Sequence, residues 1–219
     1  ESNEFYHFPI RQDLKFCFDV DTKEDYERLQ RISNQFKKNT KRYKMFTAGP
    51  VNVSDSVKEA MHYPEIGHRE SEFSDLFVDV QKKLIKVFGA DEENYTTFVV
   101  GGSGTAAMES VISSTVHDNR KILIISNGAF GDRWAEISEI YKLGVSIINY
   151  EWGQTINLQD VKKRLIQDTT IETVCLVFME TSTGMVNPIK EVGDLCKCYD
   201  KIFVVDAVSG LCGDPMNVK

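Results

Sequence analysis

Four short polar motifs, each directly after an apolar run, constrain the fold of this chain more than any other feature. The apolar runs are residues 97–100, 122–125, 174–179 and 202–205. The motifs that follow them are GGSGT at 101–105, SNG at 126–128, ETSTG at 180–184 and DAVS at 206–209. Short apolar runs are typical of buried strands, and ligands bind at the carboxyl ends of strands in an open α/β sheet. The four motifs therefore predict one site at one edge of a sheet.

The segments between these runs have the spacing of amphipathic helices. In residues 72–88, apolar side chains share one face: Phe73, Phe77, Val80, Leu84 and Val87. Strands that alternate with helices predict a mostly parallel sheet covered on both faces. We therefore expect a three-layer α/β/α domain. Its five expected strands are at 97–100, 121–125, 145–149, 174–179 and 202–205.

The glycine-rich motif at 101–105 lies between a predicted strand and a predicted helix. A turn of this kind directs backbone N–H groups and the positive end of the helix dipole at an anion. The hydroxyl groups of Ser103 and Thr105 add donors, so the motif predicts a phosphate site. A tight turn that binds nothing is the alternative.

The same segment differs from one nucleotide-binding motif and matches another. It is not a P-loop, because no Gly-Lys-Ser/Thr ends it. It does match G-x-G-x-x-A at Gly102, Gly104 and Ala107. A dinucleotide site needs an acidic residue at the end of the next strand, and that strand ends in Ser126-Asn127. This disfavours a dinucleotide.

Asp206 ends the last predicted strand, and a buried carboxylate is costly unless it is paired. A protonated pyridine nitrogen is a suitable partner, and keeping that proton makes the ring an electron sink. Together with the phosphate turn, Asp206 predicts pyridoxal 5′-phosphate. The alternative for Asp206 is a residue that caps the next helix. The alternative for the motif at 180–184 is an ordinary loop. Of the aromatic residues after Asn127, Phe130 is free to stack on a ring, whereas Trp134 has the spacing of a core residue.

Composition excludes several classes of function. The net charge is −7, with 33 acidic and 26 basic residues, and nucleic-acid binding usually needs a basic excess. No apolar stretch approaches the length of a membrane span, and no signal peptide is visible. The five cysteines predict reduced core residues in a cytoplasmic protein, and the four scattered histidines predict no metal site.

Residues 1–44 have a different pattern from the α/β segment at 45–219. An alternating strand is expected at 16–21, followed by a helix with Thr22 as its cap and Asp25 as the capping-box acid. A basic run at 37–44 then favours a solvated linker over nucleic-acid contact. We therefore predict a domain boundary between residues 44 and 45.

Residues 45–219 resemble the class V, fold-type I pyridoxal-phosphate aminotransferases, and most of all the 2-aminoethylphosphonate:pyruvate transaminases. Alanine–glyoxylate transaminases share much of the pattern. The segments that carry the resemblance are FTAGP at 46–50, HRESEF at 68–73, GSGT at 102–105, SNGAFGDR at 126–133, ETSTGMVNPI at 180–189, VDAVS at 205–209 and GDP at 213–215.

The resemblance implies a role for each motif. The cofactor phosphate would be held by Ser103, Gly104 and Thr105, and Phe130 would stack on the ring. Thr181 would bond near the ring hydroxyl, and Asp206 would pair with the ring nitrogen as the catalytic residue. Residues lining the substrate mouth would be Ala48, Gly49 and Pro50. The resemblance also implies a homodimer, in which Arg69 and Glu70 serve a loop or the interface.

Two further expectations follow from the resemblance. The lysine that attaches the cofactor should lie one strand beyond Asp206, after Lys219, so we expect residues 1–219 alone to be inactive. The segment 18–26 resembles the C-terminal end of nucleotidyltransferases, which implies a fusion protein. A non-catalytic phosphate-binding or scaffold module is the alternative from a different class.

Overall fold

The computed structural model describes residues 23–24, 26–28, 30–31, 34, 44–49, 51–216 and 218. The chain divides into two units, Glu1–Asn52 and Val53–Lys219. In the first unit, the described residues between 23 and 34 are helical and exposed. The strand expected at 16–21 and the expected caps Thr22 and Asp25 lie outside the described residues. The predicted domains, 1–44 and 45–219, stay a prediction.

The second unit is an α/β domain whose elements follow one another in chain order. Its helices are α1 (Asp55–Ala60), α2 (Ser71–Val87), α3 (Gly104–Thr115), α4 (Ala129–Ile140), α5 (Leu158–Gln167) and α6 (Ile189–Cys198). Its strands are β1 (Lys121–Ser126), β2 (Gly144–Asn149), β3 (Ile171–Val177), β4 (Met179–Glu180), β5 (Met185–Val186) and β6 (Ile202–Asp206).

Four of the strands form one parallel sheet in the order β2-β1-β3-β6. Ser126 at the end of β1 is in register with Asn149, and Val177 at the end of β3 is in register with Asp206. The carboxyl ends of these strands therefore meet at one edge of the sheet. Strands β4 and β5 form a small antiparallel hairpin beyond that edge.

Both faces of the sheet are covered at β1, which explains why its residues 122–125 are all apolar and buried. Alternate residues of a strand point to opposite faces. Leu123 and Ile125 belong to a core cluster with residues of α5 and α6. Ile122 and Ile124 belong to a second cluster with residues of α3 and α4. The predicted three-layer α/β/α fold with a mostly parallel sheet is confirmed.

The strand predicted at 97–100 is wrong. These residues have no regular secondary structure, and Phe98 is 87% exposed. Thr97 is attached instead to α2, because Gln81 Nε2 donates to its carbonyl oxygen at 2.6 Å and its hydroxyl donates to the Gln81 carbonyl oxygen at 3.2 Å. A strand needs a partner as well as a suitable composition, and the described residues provide none for this segment.

The strand predicted at 174–179 also differs from the structure, because it is interrupted at Phe178. The Phe178 N–H donates to the Asp206 carbonyl oxygen at 2.8 Å, and its own carbonyl accepts from the Asn187 N–H at 2.7 Å. The chain thus leaves the parallel sheet at Phe178 and enters the β4–β5 hairpin. Gly184, with φ +74, lies in the turn of that hairpin.

Candidate cofactor site

Asp206 lies where the sequence predicts it, at the carboxyl end of β6, and it is 9% exposed. Its Oδ2 accepts a hydrogen bond from the Trp134 indole Nε1 at 3.3 Å. Its Oδ1 accepts from the Val208 N–H at 3.1 Å. Among the described residues, Asp206 forms no ion pair. A nearly buried carboxylate with two neutral donors retains the capacity to bind a cationic N–H group.

The glycine-rich turn forms the amino-terminal end of α3. Ser103 is the cap residue, and its hydroxyl accepts from the Ala106 N–H at 3.4 Å. Gly104 and Thr105 follow in the first helical turn, and all three residues are exposed. The first N–H groups of a helix have no partner within it, so this end of α3 offers free donors to an anion.

The turn lies beside the loop that follows Asp206. A Cβ atom on Gly104 would lie 3.5 Å from Cγ2 of Val208. Thr181, from the third motif, shares a hydrogen bond between its hydroxyl and that of Ser209, in the same loop. The structure therefore brings together the glycine-rich turn, Thr181 and Asp206.

The second motif joins this group through the start of α4. Phe130 lies in the first turn of that helix and is 39% exposed. Its N–H donates to Oε1 of Glu180 at 3.3 Å, and the Gly131 N–H donates to Oε2 at 3.2 Å. Since Glu180 directly precedes Thr181, the carboxylate that binds the Phe130 N–H belongs to the residue next to Thr181.

A pair of buried amides supports the loops at this edge of the sheet. Asn127 Nδ2 donates to Asn187 Oδ1 at 2.8 Å, and Asn187 Nδ2 donates back to Asn127 Oδ1 at 3.1 Å. Asn127 also binds the Gln154 carbonyl oxygen, and Asn187 binds that of Val177. The pair thus ties the loop after β2 to β3 and to the β4–β5 hairpin.

The residues predicted for the substrate mouth do not belong to the second unit. Ala48 and Gly49 are exposed residues of the first unit, and Pro50 lies outside the described residues. Arg69 and Glu70 are exposed at the start of α2. Their predicted roles stay predictions.

Burial raises the pKa of the Cys175 thiol well above its usual value, and the negative charge of nearby Asp206 raises it further. Cys175 and Cys196 are buried, but Cys198 and Cys212 are exposed. The expectation of core cysteines is therefore wrong for the last two, because the end of α6 and the loop after β6 face solvent. Cys17 lies outside the described residues.

Among the residues that the structure describes, no group of three or more His, Cys, Asp or Glu side chains is arranged to hold a metal ion. None of the helices in this part of the chain combines the length and the hydrophobicity needed to cross a bilayer.

The arrangement fits pyridoxal 5′-phosphate at both ends of that molecule. The start of α3 provides donors for a phosphate, and the Asp206 carboxylate provides an acceptor for a protonated ring nitrogen. Gly104 leaves the α3 end open, because an added Cβ would fill the space beside Val208.

Comparison with known proteins identifies the family. The profile of the family described as Aminotransferase class-V matches residues 36–219. The chain belongs to this family. An uncharacterized aminotransferase of Methanocaldococcus jannaschii is 43% identical over 170 residues, which cover 78% of this chain and 43% of the relative. A protein of Bacillus cereus named 2-aminoethylphosphonate–pyruvate transaminase is 36% identical over 176 residues, covering 80% of this chain and 51% of the relative.

Solved structures of aminotransferases have the same fold. Ureidoglycine–glyoxylate aminotransferase from Bacillus subtilis superposes with a TM-score of 0.76 at 28% identity, covering 82% of this chain and 46% of that one. Alanine–glyoxylate aminotransferase from Nostoc sp. superposes with a TM-score of 0.71 at 30% identity, covering 83% of this chain and 49% of that one. The class V aminotransferases are pyridoxal-phosphate enzymes, so the predicted cofactor is confirmed for the family. The chain spans about half the length of the curated relatives it matches.

Sequence reasoning missed two side chains of the site. Trp134 has the spacing of a core residue and is in the core, but its indole also binds Asp206. In the sequence Glu180 is only the first residue of a loop motif, whereas in the structure it is fully buried. An acidic residue at the end of an apolar run was the available indication, as it was for Asp206.

Proposed function

We propose that the protein to which this chain belongs transfers an amino group between 2-aminoethylphosphonate and pyruvate, forming phosphonoacetaldehyde and alanine. The observation that carries the proposal is the convergence of a buried Asp206, the α3 amino-terminal end and Thr181 in a class V aminotransferase chain. The choice of substrate rests on relatives named 2-aminoethylphosphonate–pyruvate transaminase, at 35–36% identity.

The same proposal assigns a role to each residue of the site. Ser103, Gly104 and Thr105 hold the cofactor phosphate at the positive end of α3. Phe130 covers one face of the ring, and Thr181, fixed by Ser209, bonds near the ring hydroxyl. When bound, the cofactor supplies an electron sink for amino-group chemistry.

Asp206 has the central role in this assignment, because its carboxylate accepts the proton-bearing ring nitrogen. An anionic partner keeps that nitrogen protonated. Trp134 and the Val208 N–H hold the two carboxylate oxygens and thereby orient the group. Burial at 9% exposure limits competition from water for the same oxygens.

Several wider features belong to the proposal as well. Ala48, Gly49 and Pro50 contact the substrate, and Arg69 and Glu70 serve a loop or the interface of a homodimer. The protein is cytoplasmic, and residues 1–44 are the tail of a nucleotidyltransferase-like domain. The motifs at 46–50, 68–73 and 18–26 support the substrate, Arg69–Glu70 and nucleotidyltransferase assignments, and the cysteine composition supports the location.

The test is an assay of the full-length protein for alanine formed from pyruvate and 2-aminoethylphosphonate. Asp206→Asn keeps the size of the side chain and removes its charge, so activity should fall by about 100-fold or more. Asp194→Asn, an exposed change on α6, is the matched control and should leave activity unchanged.

Other results would lead to a different function. Activity with glyoxylate in place of pyruvate, and none with 2-aminoethylphosphonate, would favour the alanine–glyoxylate branch. The Nostoc alanine–glyoxylate aminotransferase, at 30% identity, makes that the second candidate. A full-length protein that binds phosphate but not the cofactor would favour a non-catalytic module.

A further inference from the structure

Glu180 is a buried charged residue to which the proposed function assigns no role. Its side chain has no solvent exposure, yet both carboxylate oxygens are hydrogen-bonded. Oε1 accepts from the Phe130 N–H at 3.3 Å, from the Ser182 N–H at 3.2 Å and from the Ser182 hydroxyl at 2.7 Å. Oε2 accepts from the Gly131 N–H at 3.2 Å. Four donors from two segments thus converge on one carboxylate.

The carboxylate and its neighbour Ser182 together cap helix α4. Besides the two bonds to Glu180, the Ala129 N–H donates to the Ser182 hydroxyl oxygen at 3.0 Å. Three successive N–H groups at the start of α4 are therefore satisfied by the segment 180–182. A negative charge at this position is favoured by the helix dipole. The contact joins the second and third motifs of the sequence.

The close fit explains the glycine at position 128. A Cβ atom there would lie 2.3 Å from Cγ of Glu180 and 2.7 Å from the Ser182 hydroxyl oxygen, which is too short for either contact. The SNG and ETSTG motifs are therefore complementary in shape as well as in hydrogen bonding. A shift of one segment alone would break the hydrogen bonds between them.

We propose that Glu180 is a positioning residue for the cofactor ring: it sets where Phe130 and Thr181 stand relative to each other. The inference rests on the proposed function, in which these two residues contact the ring. Phe130 is held through its own N–H, and Thr181 is the next residue after Glu180. The phosphate donors at 103–105 are on α3, and Glu180 has no hydrogen bond to them.

The proposal requires a carboxylate at position 180, and an amide cannot replace it. Glutamine has one acceptor oxygen and one NH2 group. Its NH2 group would face either the Gly131 N–H or the donors around Ser182, and two donors repel. Because the site is buried, water cannot relieve the conflict, and the start of α4 must move away from Thr181.

The test compares two ligands in the full-length protein and in Glu180→Gln. Equilibrium dialysis measures the dissociation constants of pyridoxal 5′-phosphate and of inorganic phosphate. For the variant, we expect the dissociation constant of pyridoxal 5′-phosphate to rise at least about tenfold, whereas that of inorganic phosphate changes less than about twofold. Glu139→Gln, an exposed change on the same helix, is the control and should alter neither constant.

A milder variant keeps the test decisive where Glu180→Gln does not fold. Ser182→Ala removes only the hydroxyl that bridges Ala129 and Glu180. It should raise the dissociation constant of pyridoxal 5′-phosphate about threefold or more and leave that of inorganic phosphate unchanged. Equal losses for both ligands, or unchanged affinity for pyridoxal 5′-phosphate, would overturn the positioning role. If the unmodified protein does not bind pyridoxal 5′-phosphate, the proposed function itself fails, which is a distinct result.

Discussion

The indole Nε1 of Trp134 donates a hydrogen bond to Oδ2 of Asp206 at 3.3 Å, although the two residues are 72 positions apart. Trp134 is 2% exposed and belongs to the core cluster between the sheet and helices α3 and α4. The ring is thus both a packing element and a partner of the carboxylate. The orientation of Asp206 therefore depends on the packing of α4.

The first prediction concerns this hydrogen bond. Trp134→Phe keeps an aromatic ring but removes the donor, so a nearly buried carboxylate loses one of its two partners. We expect the free energy of unfolding, measured with urea, to fall by about 1–3 kcal/mol. Trp152→Phe is the matched control: Trp152 also donates to a carboxylate, that of Asp132, but is 61% exposed. Its effect should stay below about 0.5 kcal/mol.

A double-mutant cycle separates the hydrogen bond from the packing. When Asp206 is already Asn, the Trp134→Phe change should cost about 1 kcal/mol less than it does in the unmodified protein. Equal costs in both backgrounds would mean that Trp134 stabilises the domain by packing alone.

The predictable part of the fold is the part with a strong local pattern. The apolar run at 122–125 is flanked by polar turns, and it forms β1 because both faces of a parallel strand are buried. Helix α2 was expected at 72–88 and is found at Ser71–Val87, because its apolar residues repeat with helical spacing. The run at 97–100 has a similar composition, but strand formation depends on a partner that composition does not reveal.

In the site, too, the sequence predicts the placement of single motifs but not their partners from distant parts of the chain. Placing Asp206 at the end of a strand and the 101–105 turn at the start of a helix needed only the order of apolar runs and polar motifs. The partners of these groups come from far along the chain: Glu180 binds Phe130 across 50 positions. Contacts of that range follow from the register and packing of the sheet, so a single sequence does not indicate them.

The second prediction is a pH dependence of stability at the opposite edge of the sheet. Lys121 Nζ donates to Asp168 Oδ2 at 2.8 Å. This bond and the bonds from Thr170 lower the pKa of Asp168 from the usual 3.8 to about 2. Since the folded-state pKa is depressed, the carboxylate stabilises the fold above pH 3.8, and this contribution is lost as the pH falls through about 2.

The measurement is the urea midpoint of the unmodified protein and of Asp168→Asn at several pH values. The stability difference between them should be constant above about pH 5 and should shrink towards zero near pH 2. Lys121 is 42% exposed, so we expect the difference to be small. Asp194→Asn, in the exposed pair with Lys190, controls for the loss of a carboxylate as such. A difference that grows on acidification would contradict the assignment.

The third prediction concerns the reactivity of the described cysteines. Alkylation requires the thiolate, and burial raises the pKa of Cys196 to about 12, with Lys201 lowering it only in part. Burial raises the pKa of the Cys175 thiol as well. At about pH 8, iodoacetamide should therefore modify Cys198 and Cys212 in the native protein, and the two buried thiols only in urea. Peptide mass spectrometry measures each site, and rapid native labelling of Cys175 would show that β3 opens.

The last prediction separates phosphate binding from folding at the start of α3. In Gly104→Ala, the new Cβ would lie 3.5 Å from Val208 Cγ2, an ordinary contact, so the free energy of unfolding should change by less than about 0.5 kcal/mol. We expect the added methyl group to crowd an anion that approaches the first N–H groups of α3, so the dissociation constant of inorganic phosphate should rise about tenfold. Ser113→Ala, an exposed change near the other end of α3, should alter neither quantity. Unchanged phosphate affinity in a stable Gly104→Ala protein would remove the start of α3 from the cofactor site, even if Asp206 keeps its role.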